Sequence, residues 1–249
     1  MLFRSNGHKY YISFLDAYSH YMWLFPISHK NDALPIFIQF QKYVERYFNL
    51  KPKLFNPMGG DEFRSLSKFF ESCGIAHCLS CPRTHQQNGA VEHKHRYIVE
   101  TGLALLYHAN IPLCFWDDAF QTACYLINRL PTTILKNKSP FETLFNSCPN
   151  YSLLKIFGCA CWPNLRPYNS NKLQPHSLQC VFLGYNLRHK GYKCFHVPSS
   201  RLYISRDVIF QESIFPFQKS NSSFPFPKST PPVTSPNSSS ILGPHPSML

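Results

Sequence analysis

The chain has 249 residues, enough for one large core or two modest ones, and 44% hydrophobic with 16% aromatic residues supply the surface to fill them. Only 13 Asp and Glu face 25 Lys and Arg, a formal charge of +12 that favours a polyanionic partner through counterion release and says nothing about base preference. No apolar run approaches the roughly 18–20 residues of a membrane span and nothing resembles a signal peptide, so the expectation is a soluble intracellular chain, in the nucleus or cytoplasm, with no membrane partner.

The ten cysteines are scattered, several inside apolar runs (Cys124, Cys161, Cys180), as suits buried thiols in a reducing compartment. Cys78 and Cys81 form a CxxC behind His77, and Cys159 and Cys161 a CxC. A zinc centre needs four ligands at paired spacing, and no second pair stands at a suitable distance.

Residues 8–28 predict two aromatic, β-branched strands with a turn at 16–19, where Asp16 is a turn residue. Residues 31–50 predict an amphipathic helix. Asn31 or Asp32 caps it, Pro35 falls in the first turn, and Ile36, Phe40, Tyr43, Val44 and Tyr47 form the apolar stripe. A short strand at 52–56 leads to NPMGGDEFRSLSKFF, in which Asp61 reads as a cap or first-turn acid. Another strand is expected at 75–80.

The stretch CPRTHQQNGAVEHKHRYIVETGLALL, residues 81–106, is a turn-rich loop running into a long helix. Val91, Ile98 and Leu105 repeat every seven residues, with His95, Val99, Gly102 and Leu106 on the same side, while Glu92 and Arg96 share another face. A first-turn carboxylate after such a loop can hold a hard cation beside a phosphate; it is equally an ordinary helix-start residue favoured by the dipole. Residues 113–130 predict a second helix. Its adjacent Asp117 and Asp118 point about 100° apart, cannot face one metal, and read as first-turn acids. Ser139 and Pro140 open a short helix to Phe145. From Tyr151 the texture changes to short strands at regular spacing, which implies a small β-barrel. Lys172, Arg188, His189, Lys190, Lys193, Arg201 and Arg206 give it a basic surface, either DNA-binding or merely solvated. The Ser- and Pro-rich residues that follow cannot bury a core and are expected to be disordered.

QQNG, Val91-Glu92 and HKHRYIVETGLALL together resemble the last catalytic motif of the integrases of copia-type retrotransposons. The resemblance continues in register through FWDDAF (115–120), YLINRLPT (125–132), KSPFETLF (138–145), VFLGY (181–185) and HKGYKCF (189–195), and covers roughly residues 6 to 215. It implies an α/β fold: an RNase H-like, retroviral integrase-type core at 1–147, an SH3-like β-barrel at 148–215 and a disordered tail at 216–249. The segment matching the family's first strand and first catalytic Asp would lie before residue 1, so the core is expected to lack that strand.

Intact members of the family hold two Mg²⁺ ions between three carboxylates. Glu92 matches the third. Aligning Gly59, Gly60, Glu62 and Phe63 with the family pattern S-D-G-G-G-E-F places Met58 where the second Asp belongs, and a thioether does not ligate Mg²⁺. Asp61 replaces a glycine three positions on, and His85 and His93 also depart from the pattern. The resemblance therefore implies a pseudoenzyme, an integrase fragment without strand transfer. It keeps sequence-nonspecific contacts to the DNA backbone through Gln86, Gln87, Asn88, Lys94 and Arg96, with Glu92 as a weak remnant Mg²⁺ ligand. Self-association or mixed oligomers with intact integrase are the other partnership. Two alternatives stand beside it: a decaying copy with no selected function, and a weak metal-dependent nuclease pairing Asp61 with Glu92.

Overall fold

A computed structural model describes residues 7–49, 54–55, 74, 76–77, 89–186 and 189–218. Packing divides the chain into two units: residues 1–104 with 114–149, and residues 105–113 with 150–249.

In the first unit, strands β1 (Tyr10–Leu15) and β2 (Met22–Ile27) form an antiparallel hairpin, in register from Tyr10 opposite Ile27 to Leu15 opposite Met22. Asp16 closes the turn: its carboxylate accepts from the Ser19 amide at 2.7 Å and the Ser19 hydroxyl at 2.6 Å. Side-chain alternation gives the hairpin two buried faces. Ile12, Phe14 and Trp23 pack with Phe37 and Phe40 of helix α1 (Ala33–Phe48), the Phe14 and Phe40 rings stacking at 4.3 Å. On the other face Tyr11 meets His95 of α2 (Gly89–His108) and Trp116 and Phe120 of α3 (Trp116–Ile127). Helices on both sides of the strands are the layering of an α/β core.

Helix α1 starts after a 3₁₀ turn at Lys30–Asp32, and Asp32 spends its carboxylate on the His29 amide at 2.8 Å rather than on the helix. The expected stripe is shifted towards Phe37, the most buried side chain of α1, with Ile36, Tyr43 and Val44 at its border. Strands β3 (Leu54–Phe55) and β4 (Ala76–His77) pair in parallel. The residues around Met58 and Asp61, the helix expected from Phe63, the CxxC and the loop with Gln86, Gln87 and Asn88 lie outside the described residues.

Helix α2 buries Ile98, Gly102 and Leu106, while His95, expected on the same side, is exposed. Gly102 lets α3 come close: a Cβ there would stand 2.4 Å from Phe120 Cδ1. Gly102→Ala should therefore destabilise the first unit by about 1–2 kcal/mol, overpacking exceeding the roughly 1 kcal/mol gain in helix propensity. Adding Phe120→Leu should recover part of that loss in chemical denaturation; strictly additive effects would show that the two positions do not touch.

The chain leaves α3 at Asn128, which is 2% exposed. Its Oδ1 accepts from the Met22 amide at 2.9 Å and its Nδ2 donates to the Met22 carbonyl at 2.7 Å, so one side-chain amide satisfies both backbone groups at the start of β2. Arg129 lies over the Tyr125 ring at 3.3 Å and donates to the Tyr125 carbonyl at 3.0 Å. Helix α4 (Pro140–Phe145) opens as expected, the Ser139 hydroxyl accepting from the Glu142 amide at 3.0 Å with Pro140 at the first helical position.

The second unit is a five-stranded antiparallel sheet of β5 (Ala160–Pro163), β6 (Cys180–Tyr185), β7 (Tyr192–His196), β8 (Arg201–Ser205) and β9 (Val208–Gln211), in the order β8-β7-β6-β5-β9. The Tyr168 hydroxyl donates to the Ile204 carbonyl at 2.7 Å and accepts from the Ile204 amide at 3.2 Å, so a side chain covers part of the outer edge of β8. Residues 105–113 pack with the barrel: Ala109 and Ile111 are buried against Gly158, and the His108 ring meets Phe215 at 5.1 Å. The packed chain also runs past 215. Phe217 is 5% exposed, and Gln218 Nε2 donates to the His108 carbonyl at 2.7 Å. The tail expected to be disordered, from residue 219, lies outside the described residues. No helix among the described residues is long and apolar enough to cross a membrane.

Candidate nucleic-acid interface

The amino end of α2 carries the residues singled out from the sequence. An α-helix leaves its first four amides without helical partners and puts the positive end of its dipole there, so a carboxylate or a phosphate is favoured. Glu92 occupies this first turn and is half-buried. Arg96 is one turn further on the same side and exposed, with His93, Tyr97 and Glu100 exposed beside it. The Arg96 guanidinium, the His93 imidazole and the exposed Tyr97 ring offer charge and stacking surface to a nucleic-acid backbone.

Lys94 does not join them. Two residues from both Glu92 and Arg96, it is turned about 200° away, onto the side of Ile98. There burial pushes its ammonium below the ordinary lysine range, partly opposed by nearby Cys124. Burial likewise pushes the Cys124 thiol up to about 12, against the pull of Arg129, Lys94 and the Asn128 hydrogen bond. Tyr11, stacked on His95 at 5.5 Å with 19° between the rings, is pushed up to about 12 by burial, and its hydroxyl has no hydrogen-bond partner among the described residues. The same spacing that marked Val91 and Ile98 as inward would have marked Lys94, which lies three after one and four before the other.

Asp117 and Asp118 hold the first turn of α3 as expected, but both are 2% exposed. Asp117 Oδ2 stands 2.7 Å from His8 Nδ1, across 109 residues. Neither that pairing nor the role of Asn128 carried a local sequence signal, since each depends on a partner more than 100 positions away. Among the described residues no three His, Cys, Asp or Glu side chains come together as a metal site. In the barrel Lys172, His189, Lys190, Arg201 and Arg206 are exposed and Lys193 half-buried; Arg188 lies outside the described residues.

Residues 159–223 match the family model of the retroviral polymerase SH3-like domain. The chain is 49% identical over 212 residues to the retrovirus-related Pol polyprotein from transposon RE1 of Arabidopsis thaliana, a match covering 85% of the chain. Identity is 46% to the corresponding RE2 polyprotein of the same plant, over 87% of the chain, and 35% to that of transposon TNT 1-94 of Nicotiana tabacum, over 83%. The chain belongs to the copia-type retrotransposon Pol polyproteins.

The match spans 14%, 15% and 16% of the lengths of these three relatives. Within the copia-type polyprotein it is a region with an α/β core and an SH3-like domain. Among solved structures it is similar to the catalytic core domain of HTLV-2 integrase in complex with magnesium, with a TM-score of 0.40 and 19% identity over 53% of this chain and 81% of that one.

Proposed function

We propose that this copia-type integrase region binds nucleic acid through phosphate contacts, indifferent to base sequence, and performs no strand transfer. The observation that carries the reading is the exposed Arg96 one turn from Glu92, at the amino end of α2, in a chain of formal charge +12. Phosphate contacts position a protein without specifying bases, and a helix start, a guanidinium and exposed barrel lysines are all of that kind. Lys94 contributes little, because its charge is turned inward and disfavoured by burial.

The inactive half of the reading rests on donor chemistry. Family members use Mg²⁺, which takes oxygen ligands in octahedral geometry. Glu92 supplies one carboxylate, and Met58, at the family's second acidic position, supplies a sulfur that a hard cation refuses. The residues do not fit a pair of Mg²⁺ ions. Integrases act as multimers, so self-association or mixed oligomers with an intact integrase belong to the same proposal.

Fluorescence anisotropy with a labelled DNA duplex tests it. Affinity should fall steeply with salt, and Arg96→Glu should weaken binding about tenfold and make the salt slope shallower by about one. Lys94→Ala should change both much less. An unchanged affinity and slope in Arg96→Glu would remove α2 from the contact surface. On the same sample, supercoiled plasmid should stay intact with Mg²⁺ or Mn²⁺; metal-dependent nicking lost in Glu92→Gln would overturn the inactive reading in favour of Asp61 with Glu92.

A further inference from the structure

The two edges of the five-stranded sheet are finished differently. On the outer side of β8 the Tyr168 hydroxyl bonds both the amide and the carbonyl of Ile204. The outer side of β9 has no strand partner among the described residues. The ladder fixes which backbone groups that side offers. Asn164 donates its amide to the carbonyl of Asp207 at 3.0 Å, in the register that sets Pro163 opposite Val208. Hydrogen-bonded and non-hydrogen-bonded positions alternate along an antiparallel pair, so Asp207, Ile209 and Gln211 turn their backbone groups to β5. Val208 and Phe210 turn theirs outward, an amide and a carbonyl each.

Edges that must stay unpaired carry a lysine, a proline or a bulge. The sequence of β9, VIFQ, carries none of these, and Ile209 at its centre is 74% exposed. Trp162, half-buried and opposite Ile209 on β5, continues the apolar strip on the same face. Charge stands only at the ends, with Arg206 and Asp207 before the strand and Glu212 after it.

We propose that this edge docks the β9 of a second copy of the chain, antiparallel, about a two-fold axis through Ile209. The proposal gives a surface to the self-association inferred above and rests on that reading. Charge and backbone phase together select the occupant and its register. With Ile209 opposite Ile209, Val208 of each copy meets Phe210 of the other, and their outward amides and carbonyls pair. Arg206 then falls opposite Glu212 at both ends, opposite charges in each case. A slip of one residue in one direction sets Asp207 against Glu212, and in either direction puts the outward groups out of step. Glu212 keeps its bonds from the Ile156 amide at 3.1 Å and Lys155 at 3.4 Å, so Arg206 adds to a carboxylate already partly paired. The two Ile209 side chains meet at a non-hydrogen-bonded position, where cross-strand neighbours come closest. The edge is short, and the dimer is a weak, reversible one.

Sedimentation velocity on the full chain, free of nucleic acid, tests it. The parent should pass from monomer to dimer as concentration rises through about 10–100 μM. Ile209→Asp sets two carboxylates face to face at an already exposed position and should weaken the dimer at least about tenfold. Val208→Pro removes an outward amide and no bond to β5, and should act in the same direction. If Val208→Pro loses the parental circular dichroism, Ile209→Asp decides. Oxidised Ile209→Cys should give a dimer whose peptide map shows a 209-to-209 link, since non-hydrogen-bonded partners lie at disulfide distance. A parent that dimerises and is unchanged by Ile209→Asp, or Ile209→Cys chains joined only through the exposed Cys148, would overturn the β9 edge and leave self-association standing. A parent that stays monomeric throughout would overturn both.

Discussion

Gly158→Ala should lower the stability of the second unit by about 3 kcal/mol, the sum of backbone strain and overpacking. Gly158 sits at φ +83, a conformation unfavourable to any residue with a Cβ. That Cβ would also stand 2.2 Å from the Cβ of Ala109 and 3.0 Å from Ile111 Cδ1, both buried. Neither neighbour can yield freely, since Ala109 is fixed by its backbone and the Gly158 amide is itself bonded to the Phe182 carbonyl at 2.8 Å. For a unit of this size the loss corresponds to a fall in Tm of more than about 10 °C. Adding Ala109→Gly removes the 2.2 Å clash and leaves the Ile111 contact and the conformational part, so the double variant should lie between Gly158→Ala and the parent. An unchanged Tm in Gly158→Ala would mean that residues 105–113 do not hold this position in solution.

Asn128→Ala should destabilise the first unit by a comparable amount, about 3 kcal/mol, for a different reason. The Met22 amide and carbonyl both depend on the Asn128 side chain, and the carbonyl otherwise accepts from the weak thiol donor of Cys124 at 3.2 Å. Removing the side-chain amide leaves two buried backbone groups undersatisfied, at about 1–3 kcal/mol each before relaxation. Asn128→Leu separates hydrogen bonding from volume. It fills nearly the same space and should be as unstable as the alanine variant in urea denaturation. A leucine variant near parental stability would show that the site needs bulk and not the amide.

Features set by a few neighbouring residues were legible without coordinates. Ser139 caps α4 because a hydroxyl two bonds from the backbone can reach the third amide onward, and Pro140 is preorganised for the first helical position. The alternation in β1 and the closely spaced barrel strands are equally local. What stayed hidden required distant partners. Asn128 looks like an ordinary polar helix end until Met22 is placed beside it, and Asp117 looks like a solvated first-turn acid until His8 arrives. At the proposed interface the resemblance located Glu92 and Arg96, and helical geometry puts them on one side. It also grouped Lys94 with them, where the 3.6-residue period separates it. Gln86, Gln87, Asn88, Met58 and Asp61 lie outside the described residues, so their part in the interface rests on the sequence alone.

The assignment of residues 105–113 to the barrel's packing has a consequence for how such a polypeptide can be recombined. A crossover at residue 150 would transfer the five strands and leave behind the nine residues that pack with them, so the recipient would have to supply a matching Ala109 and Ile111 beneath Gly158. Exchange between related elements is thus constrained to donors whose preceding helix ends in a compatible way. The barrel is inherited with its neighbour's tail, and a clean modular swap at the apparent boundary would yield two misfitted halves.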